Sequence, residues 1–254
     1  MADKSNSSSG AAPSADSPAA IRNVVLVGPS GSGKTTLVEA LLLHAGVLTR
    51  AGTVLDGTTV CDHEPAEVEQ QRSVGLALAS LQHGAVKINL LDTPGYADFV
   101  GELRAGLRAA DCALFVMAAN DVVDAATKAL WRECADVGMP RAVVVTKLDH
   151  ARAAFAGAVQ SAQESFGDKV IPLYLPEGDG LVSLLADDAT LIEGIIEESE
   201  DETLMERYLG GEQIDNAVLV ADLERAVARG SFFPVIPVCS TTGVAASAVP
   251  LSCQ

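Results

Sequence analysis

Short runs of apolar residues alternate along most of the chain with longer segments in which apolar residues recur at helical spacing. The short runs predict strands at 24–27, 76–81, 86–91, 113–117, 142–145 and 235–239. The longer segments predict helices at 35–45, 99–110, 124–136 and 151–166. Strands this apolar are typically buried on both faces of a sheet. The alternation therefore predicts an α/β fold, a doubly wound, mostly parallel sheet with helices on both faces.

Two segments depart from this alternation. Residues 1–20 are rich in serine, alanine and proline, a composition that cannot bury enough apolar surface to order itself, so we expect a disordered tail. Residues 187–224 carry thirteen acidic side chains against one arginine, and we expect 169–233 to form a small, acidic, mainly helical inserted subdomain on one edge of the sheet. The main domain is predicted at 21–168 and 234–244, followed by an atypical C-terminal tail at 245–254.

Composition excludes several classes of function. The net charge of −17 over 254 residues leaves no excess of basic side chains for the phosphates of a nucleic acid. No apolar run approaches the roughly 20 residues of a membrane span. The five cysteines show no CxxC spacing, which argues against a zinc site and a disulfide framework. We expect a cytoplasmic monomer that binds neither membranes nor, directly, nucleic acid.

The first chemical motif lies between the first predicted strand and the first predicted helix. The string from Gly28 to Thr35 matches GxxxxGK[ST], a motif that requires this strand–helix context. Its glycines let backbone N–H groups face phosphate oxygens, and the helix N-terminus adds a positive dipole. Lys34 is expected to bridge the β- and γ-phosphates, and the Thr35 hydroxyl to bind Mg²⁺. The predicted phosphate contacts are Gly28, Pro29, Ser30, Gly31, Ser32, Gly33, Lys34, Thr35 and Thr36.

The second motif is Asp92-Thr93-Pro94-Gly95, which ends the apolar run at 86–91. An acidic residue at the carboxyl end of a buried strand suits a second Mg²⁺ contact. Thr35 and Asp92 are therefore the predicted metal ligands. Gly95 is placed to present its N–H to the γ-phosphate, and all four residues of the motif are predicted to contact the nucleotide.

The third motif is Thr146-Lys147-Leu148-Asp149, which follows the predicted strand at 142–145. The Asp149 carboxylate can accept hydrogen bonds from N1–H and the 2-amino group of guanine. Adenine offers neither donor and would leave the carboxylate unpaired, which is costly, so the motif predicts guanine selectivity. The Lys147 stem can lie along the base. The predicted base contacts are Thr146, Lys147, Asp149 and, in a loop over guanine O6, Ser240 and Thr241.

These motifs, in this order and spacing, resemble those of the translational GTPases, and the similarity to the elongation factor G family is close. Residues 92–99 (DTPGYADF), 69–76 (EQQRSVGL) and 204–212 (LMERYLGGE) are similar to the family strings DTPGHVDF, EQERGITI and LMEKYLGGE. The Tyr-Ala-Asp-Phe variant is similar to that of the actinobacterial elongation factor G-like paralogues. The resemblance covers residues 21–244, and 245–254 do not have the pattern of the helix that closes the family's GTP-binding domain, so we expect a truncated chain.

The resemblance implies a P-loop NTPase G domain that binds GTP or GDP with Mg²⁺ and hydrolyses GTP in connection with the ribosome. It also implies that the acidic insertion docks on the basic C-terminal domain of the ribosomal stalk protein. By the same resemblance, we assign the catalytic roles to Lys34, Gly95 and Tyr96.

Two departures from the family pattern bear on hydrolysis. Tyr96 stands where the family commonly has a histidine that orients the attacking water, and a phenol is longer than imidazole and does not become a cation near neutral pH. Gly75 aligns with the threonine that closes over Mg²⁺, so an oxygen ligand is lost unless Thr58, Thr59 or Ser73 replaces it. We expect slow hydrolysis. The alternative is a GTP-binding switch or interaction module with little or no hydrolysis.

Transporter-type ATPases share the phosphate-loop string, and residues 209–213 (LGGEQ) superficially resemble their LSGGQ signature. That class needs an apolar strand ending in Asp-Glu farther along the chain, whereas 217–224 lie too close and have helical spacing. It would also leave the motifs at 92–95 and 146–149 without a role. The guanine-nucleotide interpretation is therefore preferred.

Overall fold

The computed structural model describes residues 13–62, 64–70, 72–149, 155–177, 180–185 and 188–239. The strands are β1 (Ile21–Val27), β2 (Ala77–His83), β3 (Val86–Asp92), β4 (Cys112–Ala118), β5 (Arg141–Thr146), β6 (Val170–Pro172), β7 (Tyr174–Glu177), β8 (Gly180–Ser183) and β9 (Phe233–Pro237). The α-helices are α1 (Lys34–His44), α2 (Pro65–Gln70), α3 (Val100–Ala109), α4 (Ala125–Asp136), α5 (Phe155–Phe166), α6 (Ala189–Glu197), α7 (Glu202–Leu209) and α8 (Asn216–Ala228).

Seven of these strands form one sheet in the order β2-β3-β1-β4-β5-β9-β6, and β7 and β8 form a separate antiparallel pair. Within the large sheet only β2 runs antiparallel to its neighbour β3. The register pairs Leu26 of β1 with Asp92 of β3 and with Leu114 of β4. The predicted α/β fold with a mostly parallel sheet is confirmed, and the carboxyl ends of its parallel strands meet along one edge.

Alternate residues of the central strands feed two cores, one on each face of the sheet. Val24 and Leu26 pack on one face with Leu37 and Leu41 of α1, whereas Val25 and its neighbours on the other face pack against α3, α4 and α5. Each fully buried aliphatic side chain stabilises the fold by about 1.5–3 kcal/mol relative to exposure. The buried face of α1 fixes the helix to the sheet and thereby fixes the loop that precedes it.

The structure differs from the predicted elements mainly where segments are short. Most strands begin or end one to three residues away from the predicted bounds, and β9 occupies Phe233–Pro237 rather than 235–239. The helix α2 and the strands β6, β7 and β8 were not predicted. Each spans six residues or fewer, too short for a clear hydrophobic period. Residues 151–154 of the predicted helix at 151–166 lie outside the described residues.

The insertion at 169–233 holds three helices around a core of its own. Its first strand, β6, joins the edge of the large sheet beside β9. Beyond it, α6, α7 and α8 pack around a third core that includes Leu191, Ile195 and Leu204. The described part of this stretch is mainly helical and adjoins one edge of the sheet, as its sequence pattern indicates.

The acidic stretch of the insertion is not one continuous helix. Glu198 and Glu202 are four residues apart, but they lie on either side of a break between α6 and α7. Asp201 caps the N-terminus of α7, and its side chain accepts a hydrogen bond from the Thr203 N–H at 3.0 Å. An acidic cap and the positive end of the helix dipole favour a helix start at this point.

Part of the N-terminal segment predicted to be disordered has structure. Residues Pro18–Ala20 form a 3₁₀ turn, and the Ser14 N–H donates to Gln82 Oε1 at 3.1 Å. Residues 1–12 and the predicted tail at 245–254 lie outside the described residues. In the part of the chain that is described, no helix combines the length and apolar character needed to cross a membrane.

Candidate nucleotide-binding site

Three loops that carry the predicted motifs meet at the carboxyl edge of the sheet, where open α/β sheets bind their ligands. The loop after β1 contacts the loop after β3, because the Ser30 N–H donates to the Gly95 carbonyl at 3.1 Å. It also contacts the end of β5, where the Thr146 hydroxyl donates to the Ser32 carbonyl at 2.5 Å. The fold therefore brings the three motifs into one site.

The phosphate loop, residues 28–35, depends on glycine where the backbone turns. Gly28 has φ +156°, and a Cβ there would lie 2.2 Å from the Val116 carbonyl oxygen. Gly33 has φ +94° and precedes the first residue of α1. A side chain at Gly28 would push the loop away from β4, so the loop could not keep its N–H groups directed inward.

Lys34 extends back over the phosphate loop. Its ammonium group donates to the carbonyl oxygens of Gly28 at 2.9 Å and Pro29 at 3.0 Å. Burial lowers the pKa of Lys34, and the carboxylates of Asp92 and Asp62 oppose that shift. A buried cation with acceptors on one side is well placed to bind an anion on the other.

Thr35 and Asp92, the predicted metal ligands, are directly hydrogen-bonded. The Thr35 hydroxyl donates to Asp92 Oδ2 at 2.6 Å. Burial raises the pKa of Asp92 to about 6, although the Thr35 hydrogen bond and Lys34 favour the charged form. Asp92 Oδ1 is buried and has no hydrogen-bond partner among the described residues. Such an oxygen is costly to bury alone and is compensated when a cation binds nearby.

The donors present fit Mg²⁺, which prefers oxygen ligands and usually takes only one or two from the protein. Thr35 would supply a hydroxyl oxygen and Asp92 a carboxylate oxygen, and phosphate and water oxygens would complete the shell. Among the described residues no group of three His, Cys, Asp or Glu side chains could hold a metal ion.

The Asp92–Gly95 loop is fixed against β1 and the phosphate loop. The Thr93 hydroxyl donates to the Leu26 carbonyl at 2.5 Å. A Cβ at Gly95 would lie 2.4 Å from the Ser30 nitrogen, so only glycine permits this approach. Pro94 is buried between these fixed points.

Tyr96 lies at the rim of the site with 40% of its surface exposed. The Arg72 guanidinium lies over its ring, 4.8 Å from the ring centre. Hydrogen bonds, first with Ser30 and then with Arg72, lower the pKa of the Tyr96 hydroxyl. The phenol is therefore engaged by two side chains at the position where the family commonly has histidine.

The predicted base-binding residues are more open than the phosphate loop. Thr146 is buried, Lys147 is half-buried and Asp149 is exposed. Lys147 has φ +58°, the one positive φ of a non-glycine residue in the described chain. This conformation is costly for a lysine and is typical of functional turns. The predicted Ser240 and Thr241 lie outside the described residues.

Three buried carboxylates around α1 and the segment 50–75 were not predicted from the sequence. The Glu39 carboxylate accepts from the N–H groups of Gly52 at 2.7 Å and Val60 at 2.5 Å. Glu67 accepts from the N–H groups of Val74 and Gly75, and Asp62 is only 3% exposed. Neither a motif nor a periodicity marks these positions, since their burial depends on how this irregular segment folds over α1.

The fold and the arrangement of its loops define a P-loop NTPase. The family model for the elongation factor Tu GTP-binding domain matches residues 19–250. The chain therefore belongs to the elongation factor Tu GTP-binding domain family, and the predicted relationship to translational GTPases is confirmed.

Individual relatives agree with this assignment. The elongation factor G-like protein of Mycobacterium tuberculosis strain H37Rv is 64% identical over 96% of this chain and 38% of its own length. Elongation factor G of Mycoplasma pneumoniae is 30% identical over 85% of this chain and 36% of its own. A crystal structure from Thermus thermophilus matches with a TM-score of 0.82 and 32% identity, over 93% of this chain and 40% of that one. The chain thus spans less than half the length of these relatives.

Proposed function

We propose that this chain binds GTP and GDP together with Mg²⁺ at the carboxyl edge of the sheet. The observation that carries the proposal is the Thr35–Asp92 hydrogen bond at 2.6 Å beside a phosphate loop closed by Lys34. Phosphate oxygens would lie on the loop N–H groups and on Lys34, and Mg²⁺ would take oxygens from Thr35 and Asp92. The bound metal neutralises phosphate charge.

Guanine selectivity is assigned to the loop after β5. Asp149 would accept from the base, and the Lys147 stem would cover one face of it. Thr146 would position this loop, because its hydroxyl also donates to the phosphate-loop carbonyl of Ser32. The same hydroxyl lies 3.2 Å from the Met117 carbonyl at the end of β4, which supports a rigid connection between the base and phosphate ends of the site.

We further propose that the chain hydrolyses GTP slowly. The Tyr96 hydroxyl already interacts with Ser30 and Arg72, which supports a weaker hold on the attacking water than a free imidazole would have. Lys34 and Gly95 would stabilise the developing charge on the γ-phosphate. If hydrolysis is negligible, the same site functions as a GTP-dependent switch, and this is the second candidate function.

A single-turnover assay with GTP labelled in its γ-phosphate distinguishes these two functions. The assay is run with this chain alone and again with purified ribosomes. A slow release of phosphate that ribosomes accelerate supports the GTPase proposal. Stable retention of GTP under both conditions supports the switch.

We propose that the domain boundaries follow the cores. Residues 21–168 and 234–244 would form the GTP-binding domain, and 169–233 would form the inserted subdomain. The separate core around α6, α7 and α8 supports this division. The pairing of β6 with β9 supports a boundary that runs through the edge of the large sheet. The same proposal places the chain in the cytoplasm as a monomer.

The acidic insertion is proposed to dock on the basic C-terminal domain of the ribosomal stalk protein. Some of its carboxylates are already paired, since Lys169 contacts Glu197 and Glu198. Glu193, Glu202 and Glu206 are exposed and lie outside the ion pairs of the described residues. These three are the better candidates for a basic partner, because long-range attraction needs charge that is not already neutralised.

A further inference from the structure

One side chain from the segment 50–75 reaches the proposed metal ligands. Ser73 Oγ lies 3.3 Å from Thr35 Oγ1, and Thr35 in turn donates to Asp92 Oδ2. The Ser73 side chain also lies near Asp62, where it opposes the rise in the pKa of that carboxyl caused by burial. Four oxygen-bearing side chains therefore form a continuous series, Asp62–Ser73–Thr35–Asp92.

The two carboxylates at the ends of this series are incompletely satisfied. Asp62 is 3% exposed and Asp92 is 1% exposed. The Oδ1 atom of each is buried and has no hydrogen-bond partner among the described residues. Two buried carboxylates with unpaired oxygens in one cluster favour a nearby cation.

Gly75 aligns with the family's Mg²⁺-binding threonine, and the other residues that could replace its oxygen make hydrogen bonds within their own segment. Gly75 has no side chain, and its N–H donates to Glu67 Oε1 at 3.3 Å. Thr58 is exposed, and its hydroxyl accepts from the Thr53 N–H at 2.9 Å. The Thr59 hydroxyl accepts from the Asp62 N–H at 3.2 Å, so it holds the turn that carries Asp62.

We propose that Ser73 supplies the hydroxyl of this segment that binds the nucleotide-associated Mg²⁺, with Asp62 as the residue that positions it. The proposal rests on the proposed function, because it requires Mg²⁺ at Thr35 and Asp92. It assigns to Ser73 an oxygen that Gly75 cannot provide. Asp62 acts through the serine, and its negative charge also favours the metal across a short distance.

The test measures the Mg²⁺ midpoint, the Mg²⁺ concentration at which the chain retains half of a bound fluorescent GDP analogue. Ser73→Ala should raise this concentration about tenfold, the scale expected for loss of one hydroxyl interaction with a charged group. Asp62→Asn should raise it by less, and Ser73→Thr should stay near wild type because it keeps the hydroxyl. Thr58→Ala serves as the matched control and should have no effect.

Thr35→Ala separates failure of this inference from failure of the proposed function. If Thr35→Ala shifts the Mg²⁺ midpoint and Ser73→Ala does not, Ser73 is not a metal contact and only this inference is overturned. If neither variant shifts it, the metal site itself is wrong and both proposals fail. If Ser73→Ala shifts the midpoint, Gly75→Thr added to that variant should recover part of the loss, which a merely structural role for Ser73 does not predict.

Discussion

The nucleotide site and the acidic insertion lie on the same sheet but hold their charged groups in opposite environments. Among the described residues, four buried side-chain atoms lack a hydrogen-bond partner, and three of them belong to the site or its border: Ser32 Oγ, Asp62 Oδ1 and Asp92 Oδ1. Most described charges of the insertion instead lie at its surface, in ion pairs such as Lys169–Glu197 at 2.5 Å and Arg207–Glu212 at 2.6 Å. The exception is Asp222, which is buried and paired with Arg225.

The difference in burial indicates that the first region suits a bound ligand, whereas the second suits solvent or a macromolecular partner. Buried polar atoms without partners reduce stability, and a ligand that satisfies them binds strongly. Surface ion pairs contribute only about 0–1 kcal/mol and are screened by salt. Substitutions in the site should therefore change ligand affinity greatly, whereas substitutions in the insertion should change only weak, salt-sensitive contacts.

The largest effect is expected for Lys34→Ala. This change removes the buried ammonium group, and losing two charge-assisted hydrogen bonds to phosphates should cost about 3–6 kcal/mol of GDP binding. Isothermal titration calorimetry measures it. Lys87→Ala is the matched control, because Lys87 lies near the opposite end of β3. Equal GDP affinity in Lys34→Ala and wild type would contradict the proposed phosphate site.

A somewhat smaller effect is expected for Asp149→Asn. The change replaces two acceptors by one acceptor and one donor, which should weaken GTP binding by on the order of 2–4 kcal/mol and shift preference toward xanthosine nucleotides. Competition binding with GDP and xanthosine diphosphate measures both the loss of affinity for guanine nucleotides and the change in preference between the two bases. Asp168→Asn, an exposed change just before β6, is the control. Unchanged selectivity would assign base recognition to another loop.

Features that depend on local sequence could be predicted, whereas features that depend on how separate segments pack could not. The phosphate loop was recognised because Gly28, Gly33 and Lys34 act through fixed local spacing, and the large sheet because its strands are continuous apolar runs. Glu39 and Asp62 were not found from the sequence, and Ser73 was only one of three candidates, because their contacts depend on an irregular segment folding over α1. The strand β6 was missed since three residues carry no period.

A smaller effect is expected for Tyr96→His, and it concerns the rate of GTP hydrolysis rather than nucleotide affinity. If the engaged phenol limits how the attacking water is held, imidazole should raise the single-turnover rate of GTP hydrolysis about tenfold or more. GDP affinity should not change, since Tyr96 lies at the rim of the site. Tyr174→His, a change of the same type on β7, is the control. A rate unaffected by Tyr96→His would place the limit elsewhere, with Gly75 the first alternative.

The smallest effect is expected in the insertion. Replacing Glu193, Glu202 and Glu206 with lysine should abolish weak binding of the isolated stalk domain and leave GTP affinity unchanged, because these side chains are remote from the phosphate loop. An NMR titration at low salt measures binding, and added salt should weaken it for the wild-type chain. A stalk domain that shows no shifts with either protein would leave the acidic face as a solvated surface.

Nucleotide selectivity of the unmodified chain tests the central claim most directly. Calorimetric titrations with GDP and with ADP, each in the presence of Mg²⁺, compare two ligands that differ only in the base. We predict that GDP binds at least about a hundredfold more tightly, because adenine offers the Asp149 carboxylate neither of the donors that guanine has. Equal or tighter binding of ADP would contradict the account, since the loop after β5 would then not recognise guanine.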